Sequence, residues 1–258
     1  MSAIHEVARL AGVAPITVSR VVNSNGYVGE ETRRRVEAAI QELDYIPNAL
    51  GPSLRSKRTQ TLALVLPNII GHFFGAIARG AEDAANRRGY HVILGNSDGS
   101  DTKQEEYLFF LAKKQVDGFI LVPTSQHGPK TLQKHNIPFV TLARRVTEDQ
   151  VDCVRADSMG GACQLTKHLL ELGHRHVAVI TGPQDHSTAY DRAVGAIQAF
   201  REAGISEQPQ IYWGDYSPEL GYERAKQALA AVPRPTAIFA ASDVLLFGVI
   251  RALREANL

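Results

Sequence analysis

The chain is expected to be an α/β protein, with an N-terminal three-helix helix-turn-helix domain followed by a two-lobed α/β region built on parallel sheets. Three observations carry that expectation. Apolar residues in the first 46 positions recur at helical spacing in three short blocks. A polar stretch interrupted by Pro47, Gly51 and Pro52 follows. From Leu62 onward, short β-like runs alternate with amphipathic segments, the pattern of βαβ units.

Ile4, Val7, Ala8 and Ala11 lie on one face of a helix over residues 4–10, and Gly12 follows as a turn former. A second helix fits Pro15–Val22, with Pro at the first helical position and Val18, Val21 and Val22 facing inward. Asn23-Ser24-Asn25-Gly26 reads as a loop. A third helix runs over about 30–43, with Val36, Ile40 and Leu43 inward and Glu30-Glu31 at its positive end. Residues 1–46 thus form one domain, 47–61 a linker and 62–258 the α/β region, divided near residue 150.

In that region the strands are expected at 62–66, 91–95, 118–122 and 138–142, then at 176–180, 210–214 and 237–241. Helices are expected at 73–88, 102–114, 128–135, 159–172, 189–203, 219–230 and 244–256, with a plain connection near 153–156. Ligands of such sheets bind beyond the carboxyl ends of the strands.

Composition excludes more than it names. The net charge is +1, while residues 1–58 hold eight Lys/Arg against six Asp/Glu, a weak basic bias. Cys153 and Cys163 have no zinc spacing, so no metal is expected. No apolar run reaches a membrane span, and Glu6 and Arg9 interrupt the apolar pattern of the N-terminus. The expected compartment is the cytoplasm, without membrane contact. No glycine-rich dinucleotide fingerprint, P-loop or nucleophile elbow is present, so catalysis on a doubly wound fold has no motif behind it and no cofactor is expected.

The segment IHEVARLAGVAPITVSRVVN (4–23) has a helix, a glycine turn and a second amphipathic helix in the order of a DNA-reading helix-turn-helix. Together with VEAAIQELDYIPN, SLRSKRT, GYHVILGNSD, VDGFILV, HLLELGHRHVAVITGP and PTAIFAASD, it resembles the LacI/GalR family of repressors over essentially the whole chain. The resemblance implies a homodimer that binds a pseudopalindromic double-stranded operator, and a periplasmic-binding-protein-like sensor for a small-molecule effector, a sugar or sugar derivative. It also implies site residues. Pro15, Ile16 and Arg20 would read bases, and Thr17, Ser19, Asn23, Tyr27 and Thr32 would position phosphates. Tyr45 and Asn48 would contact DNA from the hinge, with Leu54 as an apolar wedge in the minor groove. Phe73, Phe74, Arg144, Asp157, His186, Thr188, Arg192, Tyr216 and Asp243 would contact the effector, although Asp157 and Asp243 also suit helix N-caps.

Three departures from the family pattern matter. Gly51-Pro52 stands where the hinge helix commonly has Ala-Arg, and Pro52 would clash with the Asn48 carbonyl, so no unbroken helix is expected across 48–56. Ala143 occupies a position that often holds Asp in sugar- and purine-responsive relatives. The chain ends at Leu258, where family members continue, so a fragment or a shortened product is expected, with an incomplete second lobe. A transport-type binding protein is the competing reading, and the helix-turn-helix argues against it.

Overall fold

The computed structural model describes residues 3–23, 25–46, 58–147 and 151–258. It divides into two compact units, Met1–Thr59 and Gln60–Leu258. The hinge residues Asn48, Gly51, Pro52 and Leu54 lie outside the described residues.

The first unit contains α1 (Ala3–Leu10), α2 (Pro15–Val22) and α3 (Glu30–Glu42). Val7, Val18 and Val36 are fully buried, one from each helix, with Ala8, Ala11, Val21 and Ala39 around them. Such small side chains let three short helices approach closely. Gly12 turns the chain between α1 and α2 at φ 65, a conformation other residues adopt only with strain.

Leu43 departs from the expected inward face. It is the C-cap of α3 and 42% exposed. The helix ends there because Asp44 takes φ 44, and the Tyr45 amide returns to the Ile40 carbonyl. Tyr45 then packs on the core in place of Leu43.

The second unit opens with β1 (Thr61–Leu66), α4 (His72–Asn86), β2 (His91–Asn96), α5 (Asp101–Lys113), β3 (Gly118–Leu121), α6 (Lys130–Lys134) and β4 (Phe139–Leu142). The segment 153–156, expected as a plain connection, contributes β5 (Cys153–Val154), which pairs parallel with β4. The first lobe therefore has a five-stranded sheet ordered β2-β1-β3-β4-β5. Residues 63–66 of β1 are buried throughout, as expected of a central parallel strand covered on both faces.

The second lobe holds α7 (Ser158–Glu171), β6 (Val177–Ile180), α8 (Ser187–Glu202), β7 (Gln210–Tyr212), α9 (Pro218–Leu229), β8 (Ala237–Ala240) and α10 (Asp243–Glu255), with sheet order β7-β6-β8. Strand β7 stops at Tyr212, short of the expected 214. Glycines set the helix spacing. A Cβ on Gly195 of α8 would lie 2.2 Å from the Met159 carbonyl of α7, and one on Gly248 of α10 would lie 2.0 Å from the Pro218 carbonyl of α9.

Candidate DNA-reading surface and inter-lobe cleft

In the first unit, α2 begins at Pro15, whose missing amide hydrogen costs nothing at a helix start. Val18 and Val21 are buried, which fixes the opposite face outward. Ile16 is 59% exposed and Arg20 is exposed, while Pro15, Thr17 and Ser19 are half-buried beside them. The Arg20 side chain passes beside Gly26, whose φ of 90 turns the loop. Asn23 closes the helix: its amide donates to the Ser19 carbonyl at 2.8 Å and to the Ser19 hydroxyl at 3.3 Å. Tyr27 is 93% exposed, and Thr32 is half-buried in the first turn of α3. This surface offers one cation, several hydroxyls and an apolar tip, a set able to meet guanine edges, phosphates and a thymine methyl.

In the second unit, residues at the carboxyl ends of both sheets meet. From the first lobe, Phe73 is 54% exposed at the start of α4, and Phe74 packs edge-on to it at 5.2 Å and onto the Leu64–Leu66 core. After β4, Ala143 takes φ 61, and the turn carries the Arg144 guanidinium to the Pro123 carbonyl at 2.9 Å. Burial lowers the Arg144 pKa from its ordinary value.

From the second lobe, the turn after β6 leads into α8. Thr188 donates to the Ala143 carbonyl at 2.9 Å, across the lobes. His186 Nε2 meets the Thr124 carbonyl at 3.2 Å, also across the lobes, and its ring stacks on Tyr216 at 6.3 Å. A carbonyl only accepts, so Nε2 holds the proton. Burial first, and the Arg144 charge second, lower the His186 pKa. Arg192 donates to the Ala241 carbonyl at 2.5 Å. Tyr216 lies against Gly182, where a Cβ would sit 2.2 Å from the ring, so glycine is what admits the tyrosine. Burial raises the Tyr216 pKa.

The two acidic residues stand at helix starts. Asp157 is the N-cap of α7, its carboxylate accepting from the Gly160 amide at 2.8 Å. Ser242, not Asp243, caps α10, and Asp243 is an exposed residue of the first turn.

Sequence reasoning missed a charged tie between the lobes. Asp191 on α8 is 3% exposed and is held by Arg145 at 2.7 Å and Arg155 at 2.9 Å. Gln126 also donates across the lobes, to the Asp185 carbonyl at 2.8 Å. A cavity of about 400 Å³ opens beside this clasp, bordered by Gln126, Arg145, Thr147, Asp185, Ser187 and Tyr190 among others; none of the nine expected effector contacts lines it. Among the described residues no cluster of metal-ligating side chains occurs, and no helix is long and apolar enough to cross a membrane.

Residues 3–48 match the family model of bacterial regulatory proteins of the lacI family, and residues 59–258 match that of periplasmic binding proteins and sugar binding domain of LacI family. The chain belongs to the LacI family. The HTH-type transcriptional repressor PurR of Klebsiella pneumoniae (strain 342) is 36% identical over 264 residues, an alignment covering 100% of this chain and 77% of that protein. Among solved structures, the lac repressor dimer bound to operator and the anti-inducer ONPF aligns at TM-score 0.85 with 27% identity, covering 98% of this chain and 77% of that one. The transcriptional regulator CelR–cellobiose complex aligns at TM-score 0.71 with 33% identity, covering 99% of this chain and 79% of that one. As a LacI-family member, the chain is a DNA-binding transcription regulator with a small-molecule sensor, and its relatives are repressors rather than enzymes.

Proposed function

We propose that this LacI-family protein represses transcription as a dimer on operator DNA, and that a sugar or sugar derivative held between its lobes controls the repression. The observation that carries this reading is an alignment, across 98% of the chain, with a repressor bound to both operator and a small ligand. Residues 1–46 would be the DNA-binding domain, 47–61 the hinge and 62–258 the sensor. On α2, Arg20, Ile16 and Pro15 read bases, while Thr17, Ser19, Asn23, Tyr27 and Thr32 position phosphates; Tyr45 and Asn48 contact DNA from the hinge, and Leu54 is the apolar wedge in the minor groove.

In the sensor, Phe73, Phe74 and Tyr216 offer aromatic faces, and Arg144, His186, Thr188 and Arg192 offer donors. Asp157 and Asp243 remain the acidic candidates. Leu94 on β2 and Phe109 and Phe110 on α5 are 45%, 54% and 54% exposed, apolar side chains that pairing of two copies would cover. Selection of bound sequences from a random DNA library, followed by a reporter driven through the selected site, tests the reading. A pseudopalindromic consensus and repression relieved or strengthened by a sugar derivative are expected. Recovery of no consensus would contradict it.

A further inference from the structure

We propose that the cavity beside the Asp191 clasp is a second small-molecule site, separate from the effector cleft, and that it takes a polyhydroxylated ring of sugar type. Helix α8 keeps the two places apart. Thr188 and Arg192, four residues apart, share one of its faces, and both donate to main-chain carbonyls of the cleft. Ser187 and Tyr190, three apart, share another face and border the cavity. At about 3.6 residues per turn Asp191 falls between the two faces, so the clasp stands as the partition. The site does not depend on what occupies the cleft.

Hydrogen bonds hold the walls in place. Gln126 Nε2 donates to the Asp185 carbonyl at 2.8 Å, and the Arg145 amide donates to the Ser187 hydroxyl oxygen at 2.9 Å; both bonds cross the lobes. The Thr147 amide and hydroxyl donate to the Gln126 carbonyl at 2.9 and 3.3 Å. The volume of about 400 Å³ lies within the range of about 300–1,000 Å³ usual for small-molecule sites, and both lobes contribute to the wall. The chemistry of that wall selects the class. Tyr190, 50% exposed, offers the face of an aromatic ring. Around it stand the Asp185 carboxylate, which only accepts, and the Arg145 guanidinium, which only donates. The Gln126 carboxamide and the Ser187 and Thr147 hydroxyls do both. A ring bearing several hydroxyls meets all three kinds of partner at once, since every hydroxyl donates and accepts.

Calorimetry on the parent chain and on an Arg192→Gln variant, which weakens the cleft, tests the proposal with glucose, galactose, ribose, cellobiose and hypoxanthine as probes. At least one of the sugars should bind the Arg192→Gln chain. Adding Tyr190→Ala or Gln126→Ala should each weaken that binding by about fivefold or more, and adding Tyr190→Phe should keep most of it. Circular dichroism checks that each variant is folded. If no sugar binds the Arg192→Gln chain, or if binding survives both alanine substitutions unchanged, the second site is overturned. Hypoxanthine as the sole ligand sensitive to Tyr190→Ala would overturn the sugar class. A sugar that binds the parent chain and is lost with Arg192→Gln alone supports the effector cleft and not this site, so the two readings fail separately.

Discussion

The Arg145 guanidinium donates to the Asp191 carboxylate at 2.7 Å, joining the loop after β4 to the second turn of α8 across 46 positions of sequence. Arg155, just after β5, takes the other carboxylate oxygen at 2.9 Å. The acid is 3% exposed, while the two arginine side chains are 47% and 38% exposed. Water therefore offsets the charge of the arginines but not that of the acid. A lone carboxylate at this place would be strongly unfavourable, so the pair of arginines is what allows it.

Removing one side of this clasp should therefore not equal removing the other. Arg145→Ala together with Arg155→Ala leaves Asp191 buried without a cation and should cost about 3–5 kcal/mol of stability. Asp191→Asn leaves two arginines that water can reach, and should cost about 1–2 kcal/mol less than that double variant. Urea titration of the three proteins measures both. Equal losses would show that the clasp is not asymmetric in the way its exposure implies.

Gly248 sits where α10 touches α9, with room for a hydrogen and nothing more: a Cβ there would meet the Pro218 carbonyl at 2.0 Å and the Tyr222 amide nitrogen at 2.4 Å. Backbone cannot rotate away as a side chain can. Gly248→Ala should destabilise the second unit by about 1–3 kcal/mol despite the better helix propensity of Ala. A melting temperature at or above that of the parent protein would contradict this.

Acid should loosen the contact made by His186. Its folded pKa lies below the ordinary 6.5, because of burial and the Arg144 charge, with Asp185, the Thr124 carbonyl and Asp101 pulling the other way. On lowering the pH through 6.5, the unfolded imidazole takes its proton first. The unfolded state then binds more protons, so stability falls until the folded ring is protonated too. His186→Gln keeps a donor toward Thr124 and removes the titration. Its melting temperature should fall less between neutral and mildly acid pH than that of the parent; parallel falls would rule out this role.

Much of the architecture was legible because it rests on local patterns. The apolar spacing of Val7, Val18 and Val36 gives the first unit, and runs such as LALVL give parallel strands. Leu43 misled because its spacing continues the helix while Asp44 ends it, and a φ of 44 leaves no periodic trace. The two-residue strand β5 is too short to show a period and is recognisable only by its pairing with β4. Asp191 was missed for a different reason. It stands on an alanine-rich helix like any solvent-facing charge, and its partners lie 46 and 36 positions away. In the cleft, the resemblance pointed to Arg144, His186, Thr188 and Arg192 but could not show that all four bond to main-chain carbonyls.

The outward face of α2 makes the sharpest claim, and fluorescence anisotropy on a selected site and on a scrambled duplex, across a range of salt, tests it most directly. The parent chain should prefer the selected site by about 10³-fold or more. Arg20→Ala should lose about 1–3 kcal/mol on that site and much less on the scrambled duplex. Thr17→Ala should weaken both by similar factors, as a phosphate contact does. Equal affinity of the parent chain for the two duplexes, or equal losses on both from Arg20→Ala, would contradict the assignment of α2 as the element that reads DNA sequence.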